Sequence, residues 1–230
     1  QGFAYDSLLN ILYGSSHGPY SDDEINVIEG YKNYGHPLVV GYAADDNYNG
    51  ITAGAAITDN SGVSSCPVIV DESNNAAAIN AAGRALYKDP LFSAYASSPT
   101  PAFNPIPIWD STPSTTNNGF WPSEGWSGLD IYNHTLIPGW KTSLISASLK
   151  WGRLVRIKVG ATGNTVLPTE GQDTVSYFGS INRFRDLAFA PNGKDIYVVM
   201  DRSTSTSGPS AAFPVVPACQ GCLQKYTFLG

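Results

Sequence analysis

The chain has 230 residues and a formal charge of −6, with 14% charged, 42% apolar and 12% aromatic residues. That length suffices for one domain with its own core, the apolar share argues against disorder, and the acidic balance disfavours a nucleic-acid partner. No run of eighteen apolar residues occurs, so no segment reads as a membrane-spanning helix.

Low charge combined with 23 Gly and 16 Pro predicts an all-β protein of many short strands. The chain opens at Gln1 without Met, which reads as a processed product or part of a longer one. Its first predicted unit is strand, turn, strand over Gln1–His17: Phe3 and Tyr5 alternate, and NILYG closes the unit. SSHGPYSDDEIN (15–26) then packs one histidine, a Gly18-Pro19 turn and three acids, Asp22, Asp23 and Glu24, close together. Carbonyl and carboxylate oxygens of this sort suit a hard cation such as calcium. The spacing is not that of an EF-hand loop, which needs acids at alternate positions and a closing Glu. A solvated acidic turn is the simpler reading of the stretch taken by itself.

From about 43 to 118 the strand pattern gives way to an insertion rich in Asn, Ser, Thr, Gly and Pro. Its Ala-rich stretch NNAAAINAAGRALY (74–87) predicts a helix. The Pro-rich segment 96–119 is a loop that caps a site or decorates the surface. In GFWPSEGWSGLD (119–130), Trp121 and Trp126 bracket a Pro-Ser turn; an aromatic there stacks on a planar ligand or packs over the core. A looser strand pair follows, SGLDIY (127–132) and TSLISASLK (142–150), interrupted by Pro138-Gly139. GRLVRIKV (152–159) is a third strand. Asn133-His134-Thr135 is a formal glycosylation sequon.

Arg183 and Arg185 in INRFRD stand two apart, so on a strand they face the same way and suit a polycarboxylate. RDLAFAPNGKDIYVVMD (185–201) repeats the opening unit: Leu187 and Phe189 alternate, Pro191-Asn192-Gly193 turns, and DIYVVM closes. Residues 202–230 supply a closing strand and tail. There Cys219 and Cys222 form CQGC, either a local disulfide or two free thiols, while Cys66 stands alone.

Repeated antiparallel units predict propeller blades, with a β-sandwich as the alternative. In each of the three units the second strand runs into a polar residue: His17, Lys150 and Asp201. Equivalent strand ends of different blades meet around one axis, so these side chains are expected to share one face. With the two arginines, Lys150 makes three cations in a net-acidic chain, which suits an anionic ligand.

Taken in order, SSHGPYSDDEINVIEGYKNYGHP, WPSEGWSGLDIY, GWKTSLISASLKWGRLVRIKV and NRFRDLAFAPNGKDIYVVMD resemble the soluble glucose/sorbosone dehydrogenase family. Its members use pyrroloquinoline quinone and calcium on a six-bladed β-propeller. The resemblance runs from Gln1 to about Asp201 and thins through 43–118. It implies that residues 1–230 are one unit, the C-terminal half of that propeller, about three of six four-stranded blades. The carbonyls of Gly18 and Pro19 would hold the calcium that polarises the quinone. Lys150, Arg183 and Arg185 would bind the cofactor's carboxylates and quinone oxygens, with Asp201 supporting Arg185. Trp121, Ser123 and Asn118 would line the pocket. Glu24, with carbonyls near Tyr34, Val40 and Tyr42, resembles a second, structural calcium site. His17 stands where well-known members carry Gln, and Asn118 replaces a Tyr.

The family's catalytic histidine lies in the N-terminal half of the propeller, outside these residues. The expected function is therefore quinone-dependent oxidation of an aldose. This chain supplies cofactor and calcium binding (with Arg183, Lys150 and His17 nearest the reaction), and the isolated chain is inactive. The expected partners are the sugar and the N-terminal half of the same propeller, and the expected location is periplasmic, extracellular or at the cell surface. The alternative is a non-catalytic propeller that binds sugar or protein within a cell-surface assembly.

Overall fold

A computed structural model describes residues 1–18, 22–36, 39–43, 51–52, 69–70, 86–96, 123–168, 174–202, 209–210, 213–214 and 218–230. In chain order the strands are β1 (Phe3–Asp6), β2 (Ile11–Ser16), β3 (Glu24–Ile28), β4 (Lys32–Asn33), β5 (Ile51–Thr52) and β6 (Ile69–Val70). Then come β7 (Leu86–Tyr87), β8 (Phe92–Ser93), β9 (Trp126–Tyr132), β10 (Ser143–Ser148), β11 (Arg153–Val159) and β12 (Val166–Leu167). The last six are β13 (Thr174–Tyr177), β14 (Phe184–Phe189), β15 (Asp195–Met200), β16 (Pro209–Ser210), β17 (Phe213–Pro214) and β18 (Leu223–Thr227).

Three antiparallel sheets carry the fold. The first runs β1-β2-β3-β8. The second runs β9-β10-β11, with β12 and β13 both pairing with β11, and the third runs β14-β15-β18. Small two-stranded ladders join β4 to β7 in parallel, and β5 to β6 and β16 to β17 antiparallel. Strand β9 packs against β1 on one side and β14 on the other, so the sheets meet through their first strands. Antiparallel sheets radiating from neighbouring first strands are β-propeller blades.

Glycine makes that close approach possible. A Cβ added at Gly128 would lie 2.6 Å from the Asp186 Cα, so β9 and β14 touch backbone to backbone there. Gly152, at φ 59°, leaves the same kind of room for the carbonyl of Asn182.

The middle sheet is covered on both faces. Every residue of β10 is buried, and alternate side chains enter two separate cores. Leu144 joins Tyr13, Ile25, Trp126, Val155 and Ile157 between the first two sheets. Ile145 joins Tyr132, Trp140, Leu154, Phe184 and Val198 between the second and third. Ser146 and Ser148, too small to crowd these cores, spend their hydroxyls on the carbonyls of Gly128 and Glu124.

The structure corrects two readings of the sequence. No helix occurs among the described residues, and Leu86–Tyr87, the end of the predicted helix, form β7 beside β4. Pairing with β4 overrides helix propensity at these two residues alone; residues 74–85, the rest of the predicted helix, lie outside those described. The acids at 22–24 are not solvated: Asp22 and Asp23 are 0% exposed and Glu24 is 6% exposed. The CQGC pair is a disulfide. The sequon faces inward, since Asn133 Nδ2 donates to Asp6 Oδ1 at 2.9 Å and Asn133 Oδ1 is buried.

Candidate functional site

The three buried acids diverge. Asp22 adopts a left-handed backbone, φ 58°, and its carboxylate accepts from Ser93 Oγ at 2.8 Å. Glu24 turns the same general way: Oε1 accepts from the Gly41 amide at 2.8 Å and Oε2 from Asn26 Nδ2 at 2.9 Å. Asp23 faces the second sheet instead. Its Oδ2 accepts from Ser123 Oγ (2.8 Å) and from the amides of Glu124 (2.6 Å) and Gly125 (3.0 Å). Gly125 sits at φ 61°, the conformation that lets successive amides point together at an anion. Asp23 Oδ1 accepts from the Gly18 amide at 3.2 Å and lies 3.7 Å from His17 Nδ1.

Lys150 belongs to the same cluster. Its amide donates to the Glu124 carbonyl at 3.0 Å, and its ammonium lies 6.0 Å from the Trp151 ring centroid. Burial lowers the Lys150 pKa, while Asp23 and Glu124 pull it back up. Behind the Ser123–Gly125 turn, Arg153 pairs with Glu124, and Tyr95 donates to Glu124 at 2.6 Å.

A second cationic group flanks the first. Arg185 lies 3.7 Å from Asp201, whose amide donates to the Arg183 carbonyl at 2.8 Å. Burial lowers the Arg183 pKa; Asp201 opposes that and Arg185 adds to it. The CQGC loop braces this edge, because the Cys219 amide donates to Asn182 Oδ1 and the Gly221 amide to the Asp201 carbonyl. On one side, Gly2 packs against the backbone of Ser127, Gly128 and Leu129. Gly152 against Asn182 joins the two cationic groups from the other side.

Of the residues expected at the site, His17, Gly18, Ser123 and Lys150 thus gather about Asp23, and Arg183, Arg185 and Asp201 form the adjacent edge. Glu24 lies on the opposite face of its strand, beside the loop of Val40 and Tyr42. Tyr34 turns its hydroxyl to the Val27 carbonyl at 2.9 Å. Pro19, Asn118 and Trp121 lie outside the described residues. Glu124, Trp151 and Arg153 were not singled out from sequence, and Asp23 was, but as an oxygen donor for a cation rather than as the acceptor of the 123–125 turn.

Both implied groups find suitable residues. Arg183 and Arg185, with Lys150 two residues before the Gly152–Asn182 contact, suit a polycarboxylate quinone. Among the described residues no three His, Cys, Asp or Glu side chains converge on a metal. Around Glu24, however, Asn26 Oδ1 is buried with no hydrogen-bond partner, and burial pushes the Glu24 carboxyl up to about 7. An acceptor left without a donor beside a desolvated carboxylate suits a hard cation held partly by main-chain oxygens.

Antiparallel sheets packed through their first strands define the chain as a β-propeller. The match to known proteins is more specific: residues 1–99 and 110–207 fit the glucose/sorbosone dehydrogenase family, and the chain belongs to it. It is 30% identical over 240 aligned residues to quinoprotein glucose dehydrogenase B of Acinetobacter calcoaceticus, covering 99% of this chain and 46% of that protein. Two glucose dehydrogenase structures share the fold, each at TM-score 0.51 over 87% of this chain, with 21% and 22% identity. They are matched over 41% and 40% of their own lengths, so the chain spans under half of these relatives.

Proposed function

We propose that this chain forms the cofactor-binding side of a quinone-dependent aldose dehydrogenase. The observation that carries the reading is the meeting of His17 and Lys150 at Asp23, with Arg183 and Arg185 on the adjoining edge. The family and the quinoprotein relative supply the chemistry of the ligand. When bound, pyrroloquinoline quinone accepts a hydride from the sugar.

Lys150, Arg183 and Arg185 would hold the cofactor's carboxylates and stabilise negative charge that develops on its oxygens. Calcium on the carbonyls of Gly18 and Pro19 would polarise the quinone, and a second calcium would occupy the Glu24 site. Trp121 and Asn118 would complete the pocket, and Ser123, already bound to Asp23, would fix its wall. His17 is the one histidine of the three at this end. His134 packs on Tyr132 beside the Gly193 turn, and burial lowers the His36 pKa. None matches the family's catalytic histidine, so the base that takes the sugar hydroxyl proton comes from the preceding blades. The 230-residue chain alone is inactive on this reading.

Those blades are the proposed partner. The outer face of the first sheet carries Phe3 and Tyr5, 69% and 56% exposed, and the third sheet exposes Val199 and Leu223. The disulfide favours an oxidising compartment, periplasmic or extracellular.

The test uses the natural polypeptide that carries this sequence, with calcium, pyrroloquinoline quinone and a dye acceptor. Dye reduction with an aldose is expected, with loss of at least ~100-fold in Lys150→Ala or Arg183→Ala, in keeping with removal of a charged group from a preorganised site. Glu24→Gln should shrink the calcium-dependent rise in melting temperature, leaving the part due to the Gly18–Pro19 site. Quinone binding without turnover on any sugar would favour a binding propeller; no quinone binding at all would overturn the reading.

A further inference from the structure

Asp23 stands out as a buried carboxylate that the proposed chemistry does not itself use. Its two oxygens serve different sheets. Oδ2 gathers three donors from residues 123–125, a hundred positions away in sequence. Oδ1 faces the Gly18 amide and His17. Its own main chain is fixed as well, since the Ala94 amide donates to the Asp23 carbonyl at 2.9 Å. The left-handed bend at Asp22 sends Asp23 alone toward the second sheet.

The peptide groups that bind Asp23 also bind the lysine. Glu124 and Gly125 offer their amides to Asp23, while their carbonyls accept from Lys150 and Leu149 at 3.0 and 3.1 Å. A carboxylate on one side of these peptides polarises them toward the amides on the other. Arg153 fixes the Glu124 side chain from behind, so the turn has little freedom of its own.

We infer that Asp23 is a positioning residue that locks the His17–Gly18 turn of the first sheet to the Ser123–Lys150 edge of the second, and so sets where Lys150 meets the cofactor. This rests on the quinone reading for its ligand, but not for its geometry. A carboxylate kept only for stability would shift the melting temperature and leave the environment of Lys150 alone. A positioning role alters both the charge felt by Lys150 and the affinity for quinone.

Asp23→Asn in the natural polypeptide keeps the shape and removes the charge. Two quantities are read on protein with unchanged circular dichroism. The first is trace acetylation of Lys150 by acetic anhydride at pH 8, quantified by mass spectrometry against the exposed Lys194. Losing a nearby opposite charge raises the neutral fraction of the amine, so labelling should rise ~5-fold. The second is quinone affinity in saturating calcium, which should fall ~10-fold or more. Asp23→Glu keeps the charge and should keep the wild-type labelling rate; if the Asn variant does not fold, a fall in quinone affinity at that rate supports the role. Unchanged labelling in Asp23→Asn, or unchanged quinone affinity in both variants, overturns it. Faster labelling in a protein that binds no quinone even as wild type would sink the quinone reading while leaving the coupling between Asp23 and Lys150 in place.

Discussion

A lysine kept half out of water is poised differently from one on the surface. Burial lowers the Lys150 pKa below the ordinary 10.5, against the pull of Asp23 and Glu124. The folded state therefore gives up this proton at lower pH than the unfolded chain. Between the two values the unfolded state binds more protons, so Lys150 makes stability rise with pH through that window. Anion binding runs the other way, because it needs the ammonium. Quinone affinity, measured from pH 7 to 11, should fall on the alkaline side with a midpoint below that of a free lysine. Lys150→Arg should move the fall beyond the range. At this scale part of the arrangement was legible: Lys150, His17 and Asp201 stand just past the ends of β10, β2 and β15, as the repeat suggests, while Arg183 precedes β14 and a register shift falls between Phe184 and Asp186, so the two arginines do not sit on one regular strand. The sequence hid the role of Asp23, because three adjacent acids look alike until the backbone bend at Asp22 separates them.

The strands that hold these residues depend on small side chains at the seam. An alanine Cβ at Gly128 would sit 2.4 Å from Asp186 Oδ1 and 2.6 Å from its Cα, and neither backbone can retreat without opening a core. Gly128→Ala should cost about 1–3 kcal/mol in urea unfolding. It should also weaken quinone binding, since it pushes Arg183 and Arg185 away from Lys150; a full loss of stability with wild-type affinity would contradict the seam. Alternating apolar residues made β1, β2, β9, β10, β14 and β15 legible, because both cores enforce the two-residue period. Strands of two residues such as β7 and β8 carry no period, so Leu86 and Tyr87 read as the end of the Ala-rich stretch. Their pairing partners lie tens of residues away, at Lys32 and Ile25, where no local pattern records them.

Blade packing leaves the molecule with two different outer surfaces. The middle sheet is sealed on both faces, whereas Phe3, Tyr5 and Leu12 line the open face of the first sheet and Val199 and Leu223 that of the third. Along β1 the alternation is strict: Ala4 and Asp6 are buried while Phe3 and Tyr5 are not. A strand with apolar side chains on both faces is suited to a sheet that is itself covered twice, as β10 is. The first sheet therefore has the composition of an inner blade and the exposure of an outer one. That mismatch predicts self-association of the 230-residue chain by sedimentation, driven by exposed aromatic area. Phe3→Ser with Tyr5→Thr should return it to monomer. Placed in the natural polypeptide, the same pair should lower stability if, as proposed, further blades cover these side chains there. A pair that leaves both the association and the stability unchanged would mean that this face meets water in the working protein, and the partner blades would have to be sought elsewhere.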